Sequence, residues 1–444
     1  MSDDTQAPIP LRAGPLTLAF DSGWLRWLRL GDREVLRGVY GAVRPPDWST
    51  VPGVLENVRV ESGADRFSVR FDAVHRADPV WFEWQGRIDG TPDGRVRFQM
   101  DGVARSTFLR NRIGLCVLHP MRECAGAACS VETTDGAATA GVFPRLVSPD
   151  QPFLDLRAIR HAVAPGLEAE VRFEGEIFEM EDQRNWSDAS FKTYSTPLSL
   201  PLPVEVGEGE RIRQAVTLTL HGTAETEAQP SKPVAHGWVS DDVLHVAVNR
   251  EDSRSMPRLG FGLGPGEVPV ERLERLRALA PAHIRVDLRP SGVGWRERLE
   301  TAAGVARACR TGLEAAAFVS DERAGEELAE LAEAAQGVYA PLDAWLVFDA
   351  ETRTTTPDLV ERARETLLAQ VASSAPMPLL GGGTDAFFAE LNRGRSAAEG
   401  LDFLSFPLSP QVHAFDDATL VENTTSLRSM AETVRGFAGD TLLA

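Results

Sequence analysis

The feature that most constrains this fold is a change in apolar periodicity on either side of residues 221–237. Before that segment, apolar and polar residues alternate in short runs separated by turn residues, which is typical of half-buried strands. After it, short apolar strands alternate with amphipathic helices, a pattern that predicts parallel strands joined by crossover helices. A chain of 444 residues also exceeds a single typical core, so we expect two domains of different class.

The first half predicts a β-sandwich of the supersandwich type over residues 1–225. Asp21-Ser22-Gly23 and Gly31-Asp32 supply turns between predicted strands. The predicted strands include WLRWLRL (24–30), VRFQMDGVA (96–104), AEVRFEGEIF (169–178) and RQAVTLTLHG (213–222). These short strands, rich in β-branched and aromatic residues, favour an antiparallel sandwich.

The second half predicts a (β/α) barrel-like domain over residues 258–444, after a linker and joining strand at 226–257. The linker is rich in small, polar and proline residues. About six βα units follow it, and TLLA at 441–444 resembles the start of a seventh strand. A closed (β/α)₈ barrel usually needs about 250 residues. We therefore expect a TIM-barrel-like domain that is incomplete, or truncated.

Charge and composition exclude several classes of function. The net charge is −19 and no cluster of Lys and Arg forms a basic stripe, so nucleic acid is not the expected partner. No apolar run approaches the length of a membrane span and the N-terminus lacks a leader pattern, so we expect a cytoplasmic protein without a membrane partner. Cys124 and Cys129 lack the CxxC pairing of zinc sites, and we expect no metal and no cofactor.

The segment VRFEGEIFEMEDQRNWSDASFKTYST, residues 171–196, combines six carboxylates with aromatic, amide and cationic side chains. Flat apolar faces together with amide and charged groups suit a polyhydroxylated ligand. A polar hairpin capping a sheet is the structural alternative. Lys192 is one of only two lysines in the chain. As ligand-binding residues we predict Asp182, Arg184, Asn185, Trp186, Lys192 and Tyr194.

Polar residues follow the predicted strands of the barrel, where such folds perform their chemistry. GGGTDAFFAELNR, residues 381–393, allows close approach to its backbone and then presents Glu390, Asn392 and Arg393. His413 follows the strand DFLSF. The alternative for Glu390 is a solvated helix residue.

Several segments together resemble the D-apionate lactonase family, bacterial proteins that open the lactone of a branched sugar acid. They are LRGVYGAVRPPDWST, NRIGLCVLHP, SPDQPF, FEGEIFEMEDQRNWSDASFKTYSTPL, GGGTDAFFAELNRGR and SPQVHAFDDATLVE. The resemblance runs along nearly the whole chain. It implies a β-sandwich joined to a barrel similar to those of glycoside hydrolases, from which this chain departs by ending before the last barrel units.

A lactonase needs a general base for water, stabilisation of an oxyanion and a proton for the leaving alkoxide. We predict Glu390 or Glu181 as the base and His413 as the acid or oxyanion donor. Asn392 and Arg393 join the predicted ligand-binding residues, and the stretch 181–194 is expected to face Glu390 and His413 across a shared pocket. No Gly-x-Ser-x-Gly segment is present, which argues against a serine nucleophile.

Two other functions fit the same pattern. A glycoside hydrolase would need two carboxylates about 5–5.5 Å or about 6.5–9.5 Å apart. A non-catalytic carbohydrate-binding protein would need neither. Strand edges left open by an incomplete barrel favour a homodimer.

Overall fold

The computed structural model describes residues 7–222, 256–266, 268–338, 342–369, 376–395 and 399–444. Contacts divide the chain into two compact units. The first comprises Met1–Arg184, Asp188–Ser240 and His413–Ser429, and the second comprises Asn185–Ser187, Asp241–Val412 and Met430–Ala444. The predicted linker and joining strand at 226–257 lies outside the described residues, except for its last two. None of the described helices is long and apolar enough to cross a membrane.

The first unit is built on an antiparallel sheet of 16 strands and includes the short helix α1 (Met121–Cys124). The strands are β1 (Ile9–Ala13), β2 (Leu16–Asp21), β3 (Trp24–Leu30), β4 (Arg33–Arg44), β5 (Gly53–Ser62), β6 (Phe67–Ala77), β7 (Val80–Gly90), β8 (Val96–Ala104), β9 (Phe108–Arg110), β10 (Arg112–Pro120), β11 (Ala128–Thr133), β12 (Ala138–Val142), β13 (Phe153–Ala164), β14 (Leu167–Glu174), β15 (Phe178–Asp182), β16 (Ser190–Tyr194), β17 (Val204–Val206) and β18 (Arg211–Gly222). β9 and β17 form a separate two-stranded sheet.

The large sheet folds over on itself, which confirms the predicted β-sandwich. Its main strand order is β1-β2-β3-β4-β10-β16-β15-β13-β14-β18-β8-β7-β6-β5, with β11 and β12 attached at β13. Phe20 of β2 and Phe71 of β6 are far apart in that order, yet their ring centroids lie 5.7 Å apart. Both belong to one apolar core that draws residues from most of the strands. Burial of alternate residues along each strand supplies the main driving force for this layer.

The second unit contains a parallel sheet of seven strands in sequence order, which confirms the predicted βα alternation. The strands are β19 (Gly260–Gly262), β20 (His283–Leu288), β21 (Gly312–Val319), β22 (Leu342–Asp349), β23 (Leu379–Gly383), β24 (Phe403–Ser405) and β25 (Leu442–Leu443). The helices after α1 are α2 (Val270–Leu279), α3 (Trp295–Cys309), α4 (Ala324–Gln336), α5 (Pro357–Ala363), α6 (Phe388–Arg393), α7 (Asp417–Asn423) and α8 (Leu427–Ala438). The seventh strand suggested by TLLA is present as β25.

Two predicted elements differ from the structure. Residues 169–178 were predicted as one strand, but β14 ends at Glu174 and β15 begins at Phe178. Gly175 between them has φ +102°, and a Cβ there would lie 2.0 Å from the carbonyl oxygen of Arg213. The sequence PDLVERARETLLAQVA predicts a helix over residues 357–372. Its α-helical part ends at Ala363, and a π-helix follows over Arg364–Leu368.

Candidate functional site

The hairpin of β15 and β16 carries several of the predicted site residues. Both strands are fully buried and antiparallel, with Glu181 opposite Lys192 and Asp182 opposite Phe191. Because successive side chains of a strand point to opposite faces, Glu181 and Lys192 share one face of the hairpin. Asp182 and Phe191 share the other. The two faces have different environments.

The face with Asp182 is structural. The guanidinium of Arg184 donates to both carboxylate oxygens of Asp182 at 2.8 and 2.6 Å, and neither side chain is exposed. The remaining Arg184 donors bind backbone carbonyls at 2.9–3.1 Å, those of Pro144, Arg145 and Leu146. These contacts fix the loop after β12 to the hairpin. They favour a structural role for Asp182 and Arg184, and substrate binding by these two residues stays a prediction.

The opposite face holds a buried charge cluster. Lys192 forms an ion pair with Glu181, and the guanidinium of Arg112 lies 3.6 Å from the ring centroid of Tyr194. The hydroxyl of Tyr194 donates to Glu179 at 2.5 Å. Burial alone would raise the pKa of Glu181, but the charges of Lys192 and Arg112 lower it below its usual value. A carboxylate of lowered pKa is a poor general base, which argues against the predicted catalytic role of Glu181.

His413 lies beside Asp188, a residue of the same hairpin connection. Nδ1 of His413 and Oδ2 of Asp188 are 2.6 Å apart, and the two side chains are 18% and 7% exposed. The side-chain amide nitrogen of Gln183 lies 3.4 Å from the same Nδ1, and Ser190 donates to the Gln183 Oε1 at 2.8 Å. With Nδ1 donating to the carboxylate, the imidazole lone pair is on Nε2. This is the arrangement of a histidine base oriented by a carboxylate.

The segment His413–Ser429 brings His413 to this position. It groups with the first unit, which corrects the prediction that His413 faces the hairpin from the barrel. Helix α7 begins after Asp416, whose carboxylate accepts the backbone N–H of Thr419 at 3.0 Å. Arg26 of β3 binds the Thr419 hydroxyl at 2.7 Å and Asp416 at 3.2 Å. Asn423 then accepts from the backbone N–H of Ala189 at 3.0 Å.

A cleft in the first unit contains the His413–Asp188 pair. One wall is aromatic, since the rings of Trp24 and Tyr40 are stacked with centroids 3.8 Å apart and an interplanar angle of 6°. Most of the other lining side chains are polar or charged. The cleft is lined by Trp24, Arg26, Arg37, Tyr40, Leu118, Gln183, Asp188, Ser190, His413, Ala414, Thr419, Glu422 and Asn423. An aromatic face beside several hydrogen-bonding groups suits a sugar-like ring.

Four of the predicted binding residues lie together in the second unit. Asn392 of α6 donates its side-chain amide to Oδ1 of Asn185 at 3.0 Å, and both residues are buried. The guanidinium of Arg393 lies 5.7 Å from the Trp186 ring centroid. The sequence prediction thus grouped residues that do meet, although Asn185 and Asn392 satisfy each other.

Glu390 has a structural partner at the start of α6. Its carboxylate accepts the backbone N–H of Phe387 at 2.9 Å, three residues earlier. A glutamate that binds back to the N-cap N–H stabilises the first turn of a helix. The structure therefore favours the helix-residue alternative for Glu390 over the predicted general base.

Cys124 and Cys129, the two cysteines considered as zinc ligands, lie in the apolar core near two histidines. His119 and His161 are buried, and Phe143 packs against both, with ring centroids 5.9 and 5.8 Å away. Cys124 Sγ lies 4.0 Å from Nε2 of His161. Within the described parts of the chain, no group of three or more His, Cys, Asp or Glu side chains is placed to hold a metal ion.

The sequence did not identify Asp188, Asn423 or the Trp24–Tyr40 stack as site residues. Asp188 was visible only as one of six acids in a polar stretch, and 225 residues separate it from His413. Trp24 and Tyr40 looked like ordinary strand residues. Their stacking follows from the pairing of β3 with β4, which aligns Leu25 with Val39.

Two family models match this chain in tandem. The model for the N-terminal domain of D-apionate lactonase matches residues 1–223, and the model for the TIM barrel domain of D-apionate lactonase matches residues 260–444. The chain belongs to the D-apionate lactonase family. This confirms the family resemblance seen in the sequence, and the barrel model agrees with the parallel sheet of the second unit.

A D-apionate lactonase from Brucella anthropi is 32% identical to this chain over an alignment of 449 residues. The alignment covers 98% of this chain and 72% of that relative. Among solved structures, this lactonase-family chain is similar to galactose 1-epimerase from Lactobacillus acidophilus NCFM. That likeness has 6% identity and a TM-score of 0.36, and covers 50% of this chain and 97% of the epimerase. A beta-arabinopyranosidase is similar at 10% identity with a TM-score of 0.32, covering 85% of this chain and 66% of that protein.

Proposed function

We propose that this chain hydrolyses the lactone of a sugar acid, D-apionolactone, to D-apionate. Family membership supports the reaction, and the 2.6 Å contact between His413 and Asp188 is the observation that supports its chemistry. A neutral imidazole held by a carboxylate is a general base suited to activating water near neutral pH.

In this mechanism His413 Nε2 removes a proton from a water molecule as the water oxygen attacks the lactone carbonyl. Asp188 holds the ring and stabilises the imidazolium that forms. The bond between the carbonyl carbon and the ring oxygen then breaks, and the imidazolium returns its proton to the departing alkoxide. The products are a hydroxyl and a carboxylic acid, which releases its proton to solvent.

Gln183 is a proposed positioning residue for the histidine ring. Its Oε1 accepts from Ser190, which directs its amide nitrogen to the Nδ1 side of His413, opposite the Nε2 that takes the proton of the attacking water. The stacked rings of Trp24 and Tyr40 offer a surface for the C–H face of the ligand. Neither contribution requires a metal or an organic cofactor.

The direct test measures acid release from D-apionolactone by titration at constant pH. An enzyme-free blank is subtracted, because lactones open spontaneously. We expect saturable acid release above the blank and no release of alcohol from aryl glycosides. Cleavage of the glycosides alone would support the glycoside hydrolase alternative. Saturable binding of the lactone without acid release would support a carbohydrate-binding protein.

We also propose that the protein acts in the cytoplasm and forms a homodimer. Support for the dimer comes from β5, an edge strand of the large sheet that is largely exposed and carries Val54 at 64% exposure. Exposed edge strands present unpaired backbone groups to other chains. A monomer mass by light scattering at micromolar concentration would remove this proposal.

A further inference from the structure

Arg37 and Glu422, two charged residues that line the cleft, each have a buried polar atom without a hydrogen-bond partner among the described residues. Arg37 is held by Glu34, whose carboxylate accepts from its Nε and Nη2 at 3.4 and 3.2 Å. Its Nη1 is buried and has no hydrogen-bond partner among the described residues. Since a buried donor left unpaired costs free energy, such an atom calls for a physical explanation.

Glu422 of α7 is the second of these residues. Its Oε1 accepts the indole N–H of Trp27 at 2.7 Å, whereas its Oε2 is buried without a hydrogen-bond partner in the described structure. Oε2 lies 3.8 Å from Nε of Arg37, so the two side chains are adjacent. Both residues line the same cleft as His413, and each has one buried polar atom without a hydrogen bond in the described structure, although the two side chains form an ion pair.

The backbone at Trp27 helps to fix this arrangement. Trp27 has φ +52°, an uncommon conformation for a bulky residue, and the pairing of β3 with β4 shifts register directly after it, between Leu28 and Arg29. Its indole binds Glu422 Oε1, and the guanidinium of Arg26 lies 4.2 Å from its ring centroid. Strained backbone of this kind is concentrated at functional sites.

The charges of the cleft indicate the class of ligand. Arg26, Arg37, Asp188 and Glu422 line the cleft, and their charges sum to zero. Asp21, Asp416 and Glu34 also pair with the two arginines, so no excess positive charge is left for an anion. A balanced site of this kind favours a neutral ligand over an anion. A hydroxyl group can donate to Glu422 Oε2 while a neighbouring hydroxyl oxygen accepts from Arg37 Nη1.

We propose that Arg37 and Glu422 form a hydroxyl-binding subsite that selects a neutral polyhydroxylated lactone over an unsubstituted one. The subsite deepens the proposed lactone hydrolysis and rests on it. It acts on substrate affinity, because its atoms bind hydroxyls that do not change during ring opening.

The experiment compares D-apionolactone with an unsubstituted lactone of the same ring size, using wild-type protein and Glu422→Gln. Glutamine keeps the shape of the side chain and an oxygen that can accept from Trp27. We expect KM for D-apionolactone to rise about tenfold or more, as for loss of a hydrogen bond to a charged group, with kcat within about twofold. Hydrolysis of the unsubstituted lactone should stay within about twofold of wild type.

Glu123→Gln is the matched control. Glu123 also carries a buried oxygen without a hydrogen-bond partner in the described structure, but it does not line the cleft. We expect this variant to treat both lactones as the wild type does. Arg37→Lys, which keeps the charge and removes the planar donor set, should repeat the selective loss seen with Glu422→Gln.

Equal losses on both lactones, or no loss on either, would overturn the subsite. If wild-type protein hydrolyses neither lactone above the blank, the proposed function fails, and titration calorimetry with D-apionolactone then tests the subsite separately. Weaker binding by Glu422→Gln but not by Glu123→Gln would support it. Equal binding by all three proteins would overturn it.

Discussion

At the scale of single residues, His413 differs in environment from the core histidines His119 and His161. His413 is partly exposed, sits beside Asp188 and lines the cleft. His119 and His161 lie in the apolar core among aromatic rings. Burial, with a smaller effect of the neighbouring His161, lowers the pKa of His119 to about 3. Burial, with a smaller effect of Arg33, lowers the pKa of His161 to about 4. These two residues contribute to stability rather than to catalysis.

The two core histidines predict acid sensitivity of the fold. In the unfolded chain both titrate near pH 6.5, so above that pH neither state binds protons and stability does not vary. As the pH falls from 7 to 5.5 only the unfolded state takes up these protons, and the two residues should lower the free energy of unfolding by about 2.5 kcal/mol. His75 adds to this fall, because burial lowers its pKa as well. Urea unfolding at both pH values measures this change.

His119→Gln is the control for that experiment. It removes one of the two core histidines and should remove about half of their joint contribution to the pH dependence, whatever its effect on absolute stability. A wild-type unfolding free energy that is constant between pH 7 and 5.5 would contradict the account.

At the scale of elements, the candidate site depends on two pieces far apart in the chain. The hairpin of β15 and β16 supplies Gln183, Asp188 and Ser190, and the segment His413–Ser429 supplies His413. Arg26 and Trp27 of β3 hold α7 through hydrogen bonds of 2.7 Å each. The geometry of the histidine is therefore fixed by the docking of α7 on β3.

The contact of Glu390 at the start of α6 leads to a prediction about stability. Glu390→Gln weakens a charge-assisted bond to the Phe387 N–H and should lower the free energy of unfolding by about 1 kcal/mol or less. It should leave kcat for lactone hydrolysis unchanged. Denaturant unfolding and steady-state kinetics on one preparation measure both effects. If kcat instead falls about a hundredfold, the result would support Glu390 as the general base and contradict its purely structural role.

Most strands and helices could be predicted from the sequence, because burial of one face gives each element a characteristic spacing of apolar residues. β3 and β8 coincide with the strands predicted at 24–30 and 96–104, and β18 begins two residues before the strand predicted at 213–222. The alternation of side chains along a strand also distinguishes residues of 171–196 that look alike by composition. Asp182 and Lys192 looked equivalent as polar residues, yet they fall on opposite faces of the hairpin, and only the pairing register determines this.

The pairing of His413 with Asp188 could not be predicted. No local spacing connects residues 225 positions apart, and the segment His413–Ser429 follows a strand of the barrel while packing in the first unit. The Arg37–Glu422 contact depends on the same docking. The family resemblance was visible in the sequence because it rests on contiguous segments, whereas the site rests on contacts between them.

At the scale of the whole molecule, the net charge of −19 affects substrate and product differently. A lactone is neutral, while the product acid is an anion that the acidic surface repels at low salt. Salt screens this repulsion, since the Debye length is about 10 Å at 0.1 M. We expect KM for the lactone to be unchanged between 20 and 300 mM NaCl. Inhibition by the product should become stronger over the same range. Initial rates with added product measure both, and equal salt effects on the two would contradict this prediction.

The central claim is that His413, oriented by Asp188, is the general base for lactone opening. The measurement that tests it most directly is kcat for acid release from D-apionolactone by wild type, His413→Gln and Asp188→Asn, with folding checked by thermal unfolding. We predict that kcat falls about 10²–10⁴-fold for His413→Gln, the contribution expected of a general base. Asp188→Asn should fall at least about tenfold, because the imidazole loses its orientation. Folded variants that both keep kcat within about threefold of the wild type would contradict the claim.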